Sequence, residues 1–163
     1  SDDIETVEVF FANNQILFRS EHISFYTRLL EGNYPDTDRL IPTEFNTEAT
    51  FNVANLRFAM ERARLLSNAT QNGTVKLEFK NGVVSAHVHS PEVGRVNEEI
   101  DTSAVSGEDL SISFNPTYLI EALKAIDSEQ VVIRFISSVR PFTLVPEGNE
   151  QGFIQLITPV RTN

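Results

Sequence analysis

Residues 7 to 29 alternate apolar and polar side chains with a period of two. Val7, Val9 and Phe11 share one face, Ile16 and Phe18 resume the pattern after Asn13-Asn14, and Ile23, Phe25, Thr27 and Leu29 continue it. That period puts successive side chains on opposite faces of a strand, and paired asparagines favour a tight turn, so three antiparallel strands are predicted. The alternation stops in the stretch EGNYPDTDRLIP, residues 31 to 42, where Gly32, Pro35 and Pro42 break regular structure. Tyr34, Leu40 and Ile41 are nevertheless too apolar for a plain solvated loop, and Arg39 is the only cation among them.

After Pro42 the period changes. A strand over Ala49 to Phe51 leads into Leu56, Ala59, Met60, Ala63 and Leu66, which follow helical spacing behind Asn52, a good N-cap. Strand alternation returns at Val75, Leu77 and Phe79. It passes the hairpin dipeptide Asn81-Gly82, then Val84, Ala86 and Val88, and a further extended run through Val96 to Ile100. The chain then repeats itself. A shift of 63 residues lays Phe114-Asn115 on Phe51-Asn52, Leu119 on Leu56, Ala122 on Ala59 and Leu123 on Met60, an internal duplication. Asn115 caps the second helix, Pro116 suits its first turn, and the helix is predicted to run to about Ile126, with three strands following over 131–136, 141–145 and 153–160. Residues 45 to 160 thus comprise two strand-helix-strand-strand-strand units. Each helix has one apolar stripe to bury, so the predicted fold class is α+β, with two helices side by side on one layer of antiparallel strands.

Composition narrows the function. At 163 residues and 40% hydrophobic content the chain predicts one domain, or one domain with part of another. No apolar run approaches the ~18 residues that span a bilayer, and no leader pattern opens the chain, so no membrane partner and a cytoplasmic location are expected. There is no cysteine for a disulfide or a thiolate metal site. His87 and His89 share a strand face, but His22 lies far away in sequence and a solvated face explains the pair, so neither a metal nor another cofactor is predicted. Serines occur without a nucleophile elbow, no glycine-rich phosphate loop is present, and Glu98-Glu99, adjacent on a strand, point to opposite faces. An enzyme is therefore not expected. The net charge of -10 opposes general binding of a polyanion, yet Arg57, Arg62 and Arg64 fall within one short stretch and Lys124 is the sole cation of the second helix. The chain's last stretch, FIQLITPVRTN, stays apolar to Val160, with Pro159 and Arg161 beside it.

The ordered set EGNYPDTDRLIP, RLLSN, FNPTYLIEAL, SSVRPFTLVP and LITPVRTN closely resembles the C-terminal part of the bacterial sliding-clamp family, the beta subunit of DNA polymerase III. The resemblance covers the whole chain. It implies that residues 1 to 33 are the last strands of a middle domain, 34 to 42 a connector, and 43 to 163 a complete third domain. It also implies a fragment of a processivity factor whose full-length homodimer encircles duplex DNA. The same resemblance places a peptide-binding groove at Pro35, Arg39, Leu40, Val139, Pro141, Leu156, Thr158, Pro159, Val160 and Arg161. Its implied partners are the catalytic subunit of DNA polymerase III, the clamp loader, and other polymerases and repair proteins with clamp-binding motifs. Arg57, Arg62, Arg64 and Lys124 would face DNA, and Leu65, Leu66, Glu98 and Glu99 would lie at the subunit interface. The alternative expectation is a free-standing peptide-binding adaptor of the same fold with no DNA role.

Overall fold

Two asparagines set where the helices begin. Asn52 Oδ1 accepts the Asn55 N–H at 3.0 Å, and Asn115 Oδ1 accepts the Thr117 N–H at 2.9 Å, each satisfying an amide that has no partner within its helix. The computed structural model describes residues 6–34, 36–67, 73–90, 94–149 and 152–161. The chain divides into two compact units, Ser1–Thr37 and Asp38–Asn163.

In the smaller unit, strands β1 (Glu8–Phe11), β2 (Gln15–Arg19) and β3 (Ser24–Arg28) form an antiparallel meander in that order. The larger unit contains β4 (Thr47–Asn52), α1 (Val53–Ser67), β5 (Val75–Lys80), β6 (Val83–Ser90), β7 (Gly94–Ile100), β8 (Ala104–Gly107) and β9 (Leu110–Phe114). It continues through α2 (Pro116–Lys124), β10 (Gln130–Phe135), β11 (Phe142–Pro146) and β12 (Gln155–Ile157). Among the described residues no helix is long and apolar enough to cross a membrane.

The strands of the larger unit divide into two antiparallel sheets, β12-β11-β10-β4-β8 and β7-β6-β5-β9, where the sequence had suggested one layer. The duplication explains the division. The leading strand of the first repeat, β4, pairs with β10 of the second, while the leading strand of the second repeat, β9, pairs with β5 of the first. Each repeat therefore completes its sheet with the other's first strand. The duplicated positions Phe51 and Phe114, Leu56 and Leu119, Ala59 and Ala122, and Met60 and Leu123 are all buried. The helices pack on one another, α1 also lies on β5, β6 and β7, and α2 reaches β12.

Three details differ from the sequence pattern. Strand β8 was not predicted; it pairs with β4, and its end depends on Gly107, whose φ of +100° is open to glycine and where a Cβ would overlap the Asn46 carbonyl. Helix α2 stops at Lys124 because the next two amides tighten to carbonyls three residues back, the Ala125 N–H to Ala122 at 3.1 Å and the Ile126 N–H to Leu123 at 3.3 Å. The final strand is confined to three residues, because Pro159 cannot donate to a ladder. The Asn81-Gly82 hairpin forms as expected, with φ of +52° and +78° at its two turn residues.

A chain of phenylalanine rings joins the sheets. Phe79 of β5 lies 4.9 Å from Phe135 of β10, Phe135 lies 5.1 Å from Phe142 of β11, and Phe142 lies 5.1 Å from Phe114 of β9. Replacing Phe135 with alanine is expected to cost roughly 3 to 5 kcal/mol, because it removes a buried ring and its two aromatic contacts. Asn115→Ala, which removes only a cap, should cost about 1 kcal/mol. Urea denaturation followed by circular dichroism checks both the values and their order.

Candidate functional site

The C-terminal tail occupies the seam between the two sheets. Strand β12 pairs with β11 through Phe142↔Ile157, Thr143↔Leu156 and Leu144↔Gln155. Past Pro159 the chain leaves that ladder, and the Val160 N–H donates to the Ser113 carbonyl on β9, the edge strand of the other sheet, at 2.7 Å. One sheet thus holds the tail at Ile157 and the other holds it at Val160.

Two clefts border this tail. Leu156 and Thr158 line the first, about 420 Å3, together with Tyr118, Glu121 and Ala122 of α2. Val139, Val160 and Arg161 line the second, about 460 Å3, with Lys76 of β5, Ser111 and Ser113 of β9, and Ser138. The predicted groove residues are therefore distributed between two neighbouring hollows. Pro159 is half-buried between them, and Pro141, just before β11, lines neither. Arg39 ends a short 3-10 turn at Thr37–Arg39, and Leu40 follows it at 56% exposure; neither contributes to these two clefts. Pro35 lies outside the described residues. Tyr118 was missed from the sequence. Its signal was an aromatic in the first turn of α2, off the stripe of Leu119, Ala122 and Leu123, and it is 59% exposed at the mouth of the first cleft.

The cations expected to face DNA are not equivalent. Arg57 and Lys124 share a cleft of about 220 Å3 between the start of α1 and the end of α2. Each is accompanied by a carboxylate: Arg57 Nε lies 3.8 Å from Glu61 Oε1, and Lys124 Nζ lies 2.9 Å from Glu121 Oε1. Arg57 also lies over the Phe58 ring, 5.4 Å from its centroid. Arg62 turns instead toward β7, where its guanidinium grips both Glu98 oxygens, with Nε to Oε2 at 3.2 Å. That hydrogen bond, reinforced by the carboxylate charge, raises the Arg62 pKa above the ordinary arginine value despite some opposing desolvation. Arg64 is half-buried in the last turn of α1, and its carbonyl accepts the Ser67 hydroxyl at 3.1 Å.

The expected interface residues also separate. Leu65 is 71% exposed and Glu99 is exposed, whereas Leu66 packs against the core and Glu98 is engaged by Arg62. Alternation along β7 accounts for the glutamates, since Glu98 pairs opposite buried Ala86 on the helix side and Glu99 opposite Ser85. His87, on the other face of β6, bonds Ser85 Oγ at 2.9 Å and Asn97 Oδ1 at 2.7 Å.

Comparison with known proteins places these features in a family. The family described as DNA polymerase III beta subunit, C-terminal domain, matches residues 38–161. The chain is 80% identical over 163 residues to the beta sliding clamp of Streptococcus pneumoniae serotype 4, covering all of this chain and 43% of that protein. Its fold is similar to the crystal structure of the DNA polymerase III beta chain from Streptococcus pneumoniae TIGR4, with a TM-score of 0.91 at 80% identity over 99% of this chain and 43% of that one. It is also similar to the beta subunit from DNA polymerase of Streptococcus pyogenes, with a TM-score of 0.87 at 73% identity over 99% of this chain and 44% of that one. The chain thus spans less than half the length of these relatives.

The two leucines at the end of α1 should respond unequally to truncation. Leu66→Ala is expected to lower stability by roughly 1 to 2 kcal/mol, less than a fully buried leucine because its side chain is only partly covered. Leu65→Ala should stay within about 0.5 kcal/mol. Thermal denaturation of the two variants separates the roles.

Proposed function

Because the chain belongs to the family of the bacterial DNA polymerase III beta subunit, we propose that it is part of a non-catalytic processivity factor in the cytoplasm. In this reading the full-length homodimer closes a ring around duplex DNA and tethers the polymerase catalytic subunit, the clamp loader and other partners that carry short binding motifs. Residues 1 to 33 then belong to the middle domain, 34 to 42 to the connector and 43 to 163 to the third domain. The observation that carries the reading is the tail between two sheets, with apolar Leu156 and Tyr118 in one bordering cleft and Val139 and Val160 in the next. Rigid hollows lined by aliphatic and aromatic groups suit the apolar side chains of a docked peptide. Arg39, Leu40 and Pro35 would complete the groove from the connector, Pro141 and Pro159 would stiffen its wall, and Thr158 and Arg161 would supply polar contacts.

Ring closure explains how an acidic protein can hold DNA. Encirclement needs little direct attraction, and the carboxylates beside Arg57, Arg62 and Lys124 keep that attraction small, leaving a surface along which a duplex can slide. Exposed Leu65 and Glu99, beside partly covered Leu66 and paired Glu98, would form the edge that meets the next subunit.

Deleting Pro159 to Asn163 is expected to abolish binding of a short peptide bearing a leucine-aromatic pair while both helices stay folded. The described residues among those removed, Pro159 to Arg161, lie beyond the β12 ladder, and the backbone bond they give up is that from Val160 to β9. Calorimetry with circular dichroism as the folding control tests this, and undiminished affinity in a well-folded truncation would exclude the tail from the site. Titration with a labelled duplex at moderate salt should show little binding to this chain alone; tight, salt-resistant binding would sink the topological explanation.

A further inference from the structure

The second cleft differs chemically from the first. Its apolar wall is Val139 and Val160, but the rest of its lining is Lys76, Arg161 and the three serines 111, 113 and 138, with no carboxylate among them. Arg161 makes no ion pair among the described residues, and Arg140 follows Val139 in the same turn, exposed. Two cations and three hydroxyl-bearing residues thus line one hollow on a chain whose net charge is -10. A concave site of one sign, walled by protein, focuses a local field against the net one.

We propose that this cleft is an acidic-residue subsite, taking an aspartate or glutamate side chain of a peptide whose apolar anchor sits in the neighbouring cleft. The inference rests on the peptide-groove reading given above and adds to it the charge of the partner. The geometry supplies continuity, since one tail segment borders both hollows, Leu156 and Thr158 the first, Val160 and Arg161 the second. At roughly 3.3 Å per residue, the five steps from Leu156 to Arg161 span at most about 17 Å, a distance that an extended peptide crosses in a few residues. The chemistry supplies selectivity. A carboxylate can accept from a guanidinium, an ammonium and hydroxyls together, and such charge-assisted bonds are stronger than neutral ones.

One group opposes the site. Glu78 Oε1 lies 3.6 Å from Lys76 Nζ, and Glu78 Oε2 lies 3.5 Å from His87 Nε2. The Lys76–Glu78 pair is substantially exposed, so it is a weak competitor that an incoming carboxylate can displace. Removing Glu78 should therefore strengthen binding, whereas removing Lys76 or Arg161 should weaken it.

Two short peptides decide the matter, each with a leucine-aromatic pair, one flanked by glutamates and the other by glutamines at the same positions. Calorimetry on the intact chain should give the glutamate peptide roughly three- to tenfold higher affinity, although the net charge of the protein would predict the reverse. Lys76→Gln should erase most of that preference without changing affinity for the glutamine peptide, Arg161→Gln should erase most of it while weakening both peptides, and Glu78→Gln should enlarge it. Equal affinity for the two peptides, or a preference for glutamine, would overturn the acidic subsite while leaving the groove reading intact. Binding of neither peptide would overturn the groove reading and this inference with it. A preference that persists in both cation variants would place the acidic contact elsewhere.

Discussion

The contact between Phe135 and Phe142 on one sheet and Phe79 and Phe114 on the other is the constraint from which the rest of the larger unit follows. All four rings are buried, and each belongs to a strand whose neighbour comes from the opposite repeat or from its own hairpin. Rings at about 5 Å with tilted or edge-on planes gain from both burial and the arrangement of their charge distributions. With the sheets fixed together by this chain and the leading strands β4 and β9 exchanged, neither repeat has a complete sheet by itself. The two repeats form one cooperative body.

That exchange also creates the seam on which the proposed site depends. The edge strand β9 of one sheet comes beside β12, the edge of the other, and the tail bridges them through the Val160 N–H and the Ser113 carbonyl. Pro159 turns what would have been another ladder position into a departure from the sheet. The hollows on either side exist because the tail is held at two points and packed against neither sheet along its whole length.

The charges follow a similar economy. Arg62 ties α1 to the edge strand β7 through Glu98, and Arg134 of β10 meets Glu48 of β4 at 2.5 Å on the outer side of the other sheet. The first pair ties a helix to the sheet it lies on and the second ties two neighbouring strands of one sheet, and exposed ion pairs add little to stability. Cations committed to such pairs attract a polyanion less strongly, in keeping with the proposed sliding of DNA.

What the sequence alone determined is whatever depends on local period and local chemistry. The alternation through β1, β2 and β3, both asparagine caps, the Asn81-Gly82 turn, the two apolar helix stripes and the duplication were all legible, because each is set by residues within a few positions of one another or by direct self-similarity. Family membership was legible for the same reason, through an ordered set of short motifs. Tertiary structure alone decided the division into two sheets, the strand β8, the shortened β12, the pairing of Arg62 with Glu98, the place of Tyr118 beside Leu156, and the gathering of Lys76 with Arg161. Each of these joins residues far apart in the chain, and which distant edges meet is settled by the burial of shared aromatic rings and the exchange of leading strands, neither of which leaves a mark in the spacing of any single segment.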